Sequence, residues 1–231
     1  MSKLINFYKT IPECYKDNNN AKYPNWSKVK IDIPARILIC GVSGSGKNNC
    51  LMNLILQMNC FTKIYIFAKN LDQPLYRFLI SRMHKLSKKI GKKILFYSED
   101  LEDIPELSEF DKSETNLIVF DDMIMEKNQK RISELFTRGR NSCNASCVYL
   151  TQNYYSVDKL IRRNCDYIII KKINTSSDLK RIISEYKLSN NISLDQLYKF
   201  YEQIVASGME NFLLLDMKTD DPKLKYRMNF G

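Results

Sequence analysis

The sequence predicts an α/β fold: a mostly parallel sheet flanked by helices, followed by a C-terminal antiparallel β-hairpin. Short runs of Ile, Leu, Val and Phe alternate with stretches of helical spacing, the pattern of strand–helix–strand units. These runs are apolar at successive positions rather than at every second one, as strands covered on both faces are. In the closing segment, from Leu224 to Phe230, the pattern changes to apolar–polar alternation, as in a half-buried antiparallel strand.

Residues 1–33 are polar and turn-rich (Asp17-Asn18-Asn19-Asn20, Pro24) and read as an N-terminal arm with at most short elements. A single domain over 34–231 follows. Arg36–Cys40 reads as a buried strand running into glycines, and Asn49–Met58 has helical spacing through Leu51, Leu54, Ile55 and Met58. Lys63–Ala68 is a second strand, a helix spans Gln73–Ile90, and Lys93–Tyr97 is a third strand. Leu117–Phe120 is a fourth strand ending in two acids; the helix after it turns Ile132, Leu135 and Phe136 inward. Ser146–Leu150 and Asp166–Ile170 are further strands, with short helices at Ser177–Glu185 and Ser193–Ala206. The hairpin of 211–231 pairs Phe212–Met217 with a last strand across Thr219-Asp220-Asp221-Pro222. In that last strand Leu224, Tyr226, Met228 and Phe230 alternate with Lys225, Arg227 and Asn229, which places the apolar set against the core.

Composition excludes several classes. With 231 residues, 44% hydrophobic and 27% charged, the chain is globular in make-up. A chain of this size buries about 70–75% of its unfolded surface without disulfides or a structural metal. No apolar run approaches the ~18–20 residues that span a bilayer, so no membrane partner is expected. Met1 to Asn20 show no secretory signal. The seven Cys are scattered and odd in number, which fits a reducing compartment. With His84 the only histidine, zinc ligation and His-centred catalysis are both disfavoured.

The net charge is +10, from 36 Lys+Arg against 26 Asp+Glu. Arg77–Lys93 holds seven basic residues and no acid, while Glu99–Glu114 holds eight acids and one base, so the two runs cancel. The surplus lies in residues 1–76 and 115–176. Leu75, Phe78, Leu79, Met83, Leu86 and Ile90 recur at helical spacing and leave the basic residues of Arg77–Lys93 outside. That face reads either as a solvated helix surface or as one that tracks phosphates.

The chemistry is carried by Gly41-Val42-Ser43-Gly44-Ser45-Gly46-Lys47, which follows the first strand and opens the first helix. This is GxxxxGK in its required context: small residues wrap a phosphate with backbone N–H groups, and the lysine reaches the β/γ-phosphates. The candidate nucleotide-binding set is Gly41, Ser43, Gly44, Ser45, Gly46, Lys47, Asn48 and Asn49. Asn48 stands where the pattern calls for Ser or Thr, whose hydroxyl ligates Mg²⁺. Its amide is the candidate metal ligand in that place but is longer, so weakened metal and nucleotide binding is expected. Asn49 cannot substitute, because helix geometry points it elsewhere. Asp121 and Asp122 end the fourth strand beside this loop. Asp121 is expected to hold Mg²⁺ through water and Asp122 to orient or deprotonate the attacking water. Gln152, at the end of another strand, is placed to sense the γ-phosphate. Arg138 and Arg140 are candidates to complete a neighbouring subunit's site, with Arg162 and Arg163 behind them. Tyr23 and Trp26 are candidates for stacking on a base and equally for the core.

Together GVSGSGK (41–47), LIVFDDM (117–123), ELFTRGRN (134–141), VYLTQN (148–153), LIRRNCDYIIIKK (160–172) and FLLLDMKTDDPKLKYRMNF (212–230) resemble the genome-packaging ATPases of large nucleocytoplasmic DNA viruses and their virophages. These form a branch of the FtsK–HerA group of P-loop motors. The resemblance implies a P-loop NTPase fold, ATP and Mg²⁺ as cofactors, and ATP-driven movement of double-stranded DNA, without sequence specificity, into a viral capsid. It also implies a homo-oligomeric ring, a pentamer or hexamer, acting in the host cytoplasm at the viral factory or in the virion. The family carries Thr or Ser in place of Asn48, and often His in place of Asn141. Asn48 therefore sustains a second reading, a nucleotide-binding ring or scaffold subunit deficient in hydrolysis. A small P-loop kinase fits less well, since no lid or base-recognition segment is visible. Segments near Lys85–Lys93 and Lys127–Arg131 are candidates for gripping DNA.

Overall fold

The computed structural model describes residue 12 and residues 23–123, 129–186 and 192–230. Eight strands form one sheet in the order β3-β2-β4-β5-β1-β6-β7-β8. They are β1 (Arg36–Cys40), β2 (Lys63–Ala68), β3 (Leu95–Ser98), β4 (Asn116–Asp121), β5 (Ala145–Thr151), β6 (Tyr167–Ile170), β7 (Leu213–Asp216) and β8 (Tyr226–Met228). β3 to β6 of this order pair in parallel; β7 and β8 join antiparallel. The sheet is therefore mixed but mostly parallel, with the expected antiparallel hairpin at its end.

Two layers of helices cover it. On one face α1 (Trp26–Val29), α2 (Lys47–Met58) and α3 (Pro74–Ile90) pack over Ile37, Ile39, Val119 and Leu150. On the other face α4 (Gln129–Cys143), α5 (Lys159–Asn164), α6 (Ser176–Glu185) and α7 (Leu194–Ala206) pack over Leu38, Ile118, Phe120 and Tyr149. Every residue of β4 and β5 is buried, which is why these strands read as unbroken apolar runs. Each fully buried Ile, Val or Phe among them contributes roughly 1.5–3 kcal/mol.

The helices begin and end where local chemistry allows. Pro74 opens α3, and Gly91 closes it in the left-handed region at φ 69°. Asp158 caps α5 and Thr175 caps α6, each accepting a backbone N–H, while Ser193 and Gln196 form a capping box on α7.

Three expectations need correction or relocation. In α3 only Tyr76, Leu79 and Met83 are buried, whereas Phe78, Leu86 and Ile90 are 58%, 41% and 52% exposed. The helix runs on beyond the cover that the short edge strand β3 offers, so helical periodicity there does not translate into burial. In and after β8, Tyr226 packs against the core and Phe230 is buried as expected, but Arg227 is buried and Met228 is 37% exposed. Arg227 turns inward because it satisfies the carbonyls of Val29, Lys30 and Phe230 and pairs with Asp216 at 3.1 Å. Asn229, at φ 59°, then breaks the alternation and lets Phe230 fold back against Phe212. Tyr23 and Trp26 belong to the core side and not to a base site. Asn25 bonds the carbonyl of Gln57 at the far end of α2, and Trp26 Nε1 donates to Asp32 at 2.8 Å. Residues 124–128 lie outside the described residues, as does most of the expected N-terminal arm.

Candidate nucleotide site

Parallel strands all end at one edge of the sheet, and the site is built there. β5 lies between β1 and β4, with Cys40 level with Thr151 and Asp121 level with Leu150. The loop after β1, the acids ending β4 and the amide after β5 are thereby brought side by side.

The loop is anchored on both flanks. Gly41 N donates to Thr151 O at 3.1 Å, and Val42 N to Lys172 O at 2.9 Å. Gly44 and Gly46 sit at φ 72° and 83°, a backbone region that side-chain-bearing residues rarely adopt. Gly46 caps α2, so the first N–H groups of that helix open onto the loop. Lys47 is buried, and its ammonium donates to Gly41 O at 2.8 Å and Val42 O at 3.0 Å. Burial lowers its pKa, while Asp121 and Asp122 oppose that shift. Ser45 Oγ is buried without a partner among the described residues. An orphaned hydroxyl inside a glycine-formed cradle fits a polyphosphate, which supplies acceptors for it.

Asp121 is buried and accepts from Tyr76 OH at 2.8 Å. Burial raises its pKa; Tyr76, Lys47 and Asn48 pull it back. Asp122 has φ 57° and donates its N–H to Leu150 O at 3.1 Å, and its carboxylate accepts from Gln152 Nε2 at 3.1 Å. Asn48 donates its amide nitrogen to Gln73 Oε1 at 2.8 Å and turns toward Asp121. The Asp121 carboxylate fits Mg²⁺, a hard ion that takes one or two carboxylates plus phosphate oxygens. Asn48 stands beside that carboxylate with its amide nitrogen held by Gln73, which leaves Oδ1 as the oxygen its side chain could offer a metal. Asn49 is occupied within α2, its carbonyl accepting from Asn53.

Two basins flank the loop and share Ser43, Gly44, Gln152 and Met209. One, of about 790 Å³, holds Lys47, Asn48, Asp121 and Asp122. The other, of about 740 Å³, is lined by Asn153, Lys172, Asn174 and Asn211. Sequence reasoning missed Gln73, Lys69, Glu99 and Met209, which line the first basin from the ends of other elements, and Tyr76, which holds Asp121 from behind it. No motif marks them.

The arginines stand elsewhere. Chain direction places the C-terminal half of α4 at the opposite edge of the sheet, next to the start of β5. Arg138 is exposed there and pairs with Glu134 one turn back at 2.5 Å. Arg140 pairs at 2.8 Å with Asp166, which also holds Arg36. Arg162 binds Glu185 and lies over the rings of Tyr154 and Tyr155. Neither Arg138 nor Arg140 meets its own chain's phosphate loop.

Among curated proteins none matches the chain. Among solved structures, the genome packaging NTPase B204 from Sulfolobus turreted icosahedral virus 2 is similar in its complexes with AMPPCP and with sulfate. The TM-scores are 0.57 and 0.58 at 16% identity, over 85% and 84% of this chain and 97% and 95% of those chains. The DNA-packaging ATPase B204 from Sulfolobus turreted icosahedral virus gives a TM-score of 0.51 at 17% identity, over 85% of this chain and 97% of that one. At such identities the likeness shows the fold, that of a P-loop ATPase. The family model described as Poxvirus A32 protein matches residues 27–208. That span runs from α1 through the phosphate loop, the acid pair and the arginine-bearing helix to the end of α7, and the chain belongs to the poxvirus A32 protein family.

Proposed function

We propose that the chain is an ATP-driven motor subunit that moves double-stranded viral DNA into a capsid, working in a ring of five or six copies. The observation that carries this is the convergence of Lys47, Asp121, Asp122 and Gln152 at one sheet edge, in a chain of this family. Bound nucleotide would draw Lys47 off the carbonyls of Gly41 and Val42 and onto its β/γ oxygens. Asp121 would hold Mg²⁺, which neutralises charge on the phosphates when bound. Asp122 then takes the proton of the attacking water, and Gln152 moves from Asp122 to the γ-phosphate. Arg138 or Arg140 would reach the site of a neighbouring copy and stabilise charge on the transferring group. Action at the viral factory or in the virion follows from the same reading, as does DNA held by its backbone rather than its bases.

The second reading, a nucleotide-binding ring subunit that does not hydrolyse, is favoured by one observation: an amide held by Gln73 stands at position 48, where the phosphate-loop pattern places the hydroxyl that ligates Mg²⁺. ATP hydrolysis with and without long double-stranded DNA separates the two. The motor reading expects stimulation that weakens with salt, since phosphate contacts are lost as counterions compete. Ring assembly with no DNA response would refute it in favour of the second.

A further inference from the structure

Lys171, directly after β6, is 1% exposed. Lysines are almost never fully buried unless paired with an acid. Lys171 makes no ion pair with a described residue within salt-bridge distance; its ammonium donates to Met209 O at 2.6 Å and Asn211 O at 2.9 Å. An ammonium has three donors, so the carbonyls account for two. Phe212 lies beneath it, 5.6 Å from ring centroid to Nζ. Burial holds its pKa below the ordinary lysine value, with Cys50 and Glu210 opposing.

Its path explains two glycines of the phosphate loop. A Cβ on Gly41 would come within 2.6 Å of Lys171 Cβ. A Cβ on Gly46 would lie 3.2 Å from Met209 O and 3.6 Å from Lys171 Nζ. The side chain therefore runs behind the loop from its first glycine to its last, and ends beside the N-terminus of α2. The turn that it holds carries Met209, which overhangs both basins, and Gly208 and Asn211, which line one.

We propose that Lys171 is a positioning residue of the nucleotide site: it pins the Gly208–Asn211 turn behind the phosphate loop and adds a second buried positive charge to the field on bound polyphosphate. The proposal rests on the nucleotide-binding reading. It accounts for a buried cation whose carboxylate neighbour, Glu210, makes no ion pair with it: the remaining counter-charge is the ligand's. Two cations, Lys47 within the loop and Lys171 behind it, then act on one polyphosphate.

The test compares the full chain with Lys171→Gln, which keeps a donor and loses the charge, and Lys171→Met, which loses both. Equilibrium binding of ATP and of AMP is measured for each. The charge role expects ATP to bind about tenfold more weakly to both variants and AMP to change less than about threefold, because ATP brings three phosphates and more negative charge into this field. Equal weakening of ATP and AMP, or no weakening, overturns the charge role. Hydrogen exchange on the unaltered chain serves even where a variant does not fold: amides 208–212 are expected to gain protection on binding inorganic tripolyphosphate. Unchanged exchange there with tripolyphosphate bound overturns the link between turn and loop. An unaltered chain that binds neither ATP nor tripolyphosphate refutes the nucleotide reading itself, a result distinct from either.

Discussion

Arg138 and Arg140 can be told apart as candidates for the proposed trans role because the structure gives them different work at home. Arg138 has a side chain 64% exposed and a single partner on its own helix, Glu134. Such an i,i+4 pair contributes about 0.3–0.5 kcal/mol, so Arg138→Ala is expected to leave stability almost unchanged. Arg140 is 25% exposed and donates to Asp166, itself 7% exposed. A hydrogen bond to a charged group contributes roughly 1.5–3 kcal/mol, so Arg140→Ala is expected to cost about that much. For a domain of this size, this lowers Tm by roughly 3–12 °C. Arg140 is thus committed to the Arg36–Asp166 cluster, and Arg138 is the one free to cross to a neighbour. The assay is complementation. Arg138→Ala and Asp122→Asn are each expected to abolish DNA-stimulated hydrolysis as uniform rings. Mixed equally, each site needs an intact Asp122 from one copy and an intact arginine from the next, so about a quarter of the activity returns. Activity absent from the mixture, or Arg138→Ala as active as the unaltered chain, refutes the assignment of Arg138. Arg140→Ala losing hydrolysis with no loss of Tm refutes the structural role given to Arg140.

Two further outcomes follow from the same geometry. Asn48→Thr exchanges an amide held by Gln73 for the hydroxyl that the pattern calls for, and Mg²⁺-dependent ATP turnover is expected to rise about tenfold; an unchanged rate sinks the second reading's premise. Arg227→Met breaks a pair whose side chains are only 4% and 5% exposed, which costs about 3–5 kcal/mol, measured by urea unfolding. Burial raises the pKa of Asp216, and Arg227 is among the groups that lower it. Removing Arg227 raises it further. A carboxylate with a raised folded pKa loses stability as pH rises from its unfolded value, about 3.9, through the folded one. The deficit of Arg227→Met is therefore expected to be smallest near pH 4, where the lost bonds to the carbonyls of Val29, Lys30 and Phe230 remain, and to grow toward neutrality. A deficit independent of pH contradicts this.

The sheet was legible because its strands are buried on both faces and announce themselves as apolar runs. β1 and β2 match their expected limits, and β4 and β5 extend by a residue or so at each end. Legibility fails where burial is polar. Arg227 reads as an outward residue in an alternating strand, and nothing near it in sequence reveals the carbonyls of Val29 and Lys30, almost two hundred positions away. Lys171, after three isoleucines, reads as the wet end of a strand although it is wholly buried. Within the site, Lys47, Asp121, Asp122 and Gln152 were readable because each sits in a short contiguous motif with its own strand. Tyr76 and Gln73 were not, because they approach Asp121 and Asn48 from the start of α3, a relation that only the third dimension creates.

The placement of β5 between β1 and β4 bears on how binding and hydrolysis are coupled in the proposed cycle. Gln152 leaves the end of β5 and donates to Asp122, the group assigned to take the water's proton. The direction of Asp122 is set by its left-handed backbone and its N–H bond to Leu150 O more than by rotamer choice, so its carboxylate stays where Gln152 can hold it. While it donates to Asp122, the Gln152 amide occupies a carboxylate oxygen that the proposed cycle needs to meet water. A γ-phosphate is a stronger claimant for the same N–H, because it carries more charge and sits among the donors of the phosphate loop. In the proposed cycle Gln152 would pass from Asp122 to that phosphate. The exchange would tie the Asp122 carboxylate to the amide while no γ-phosphate is bound, and free it to meet water when one is.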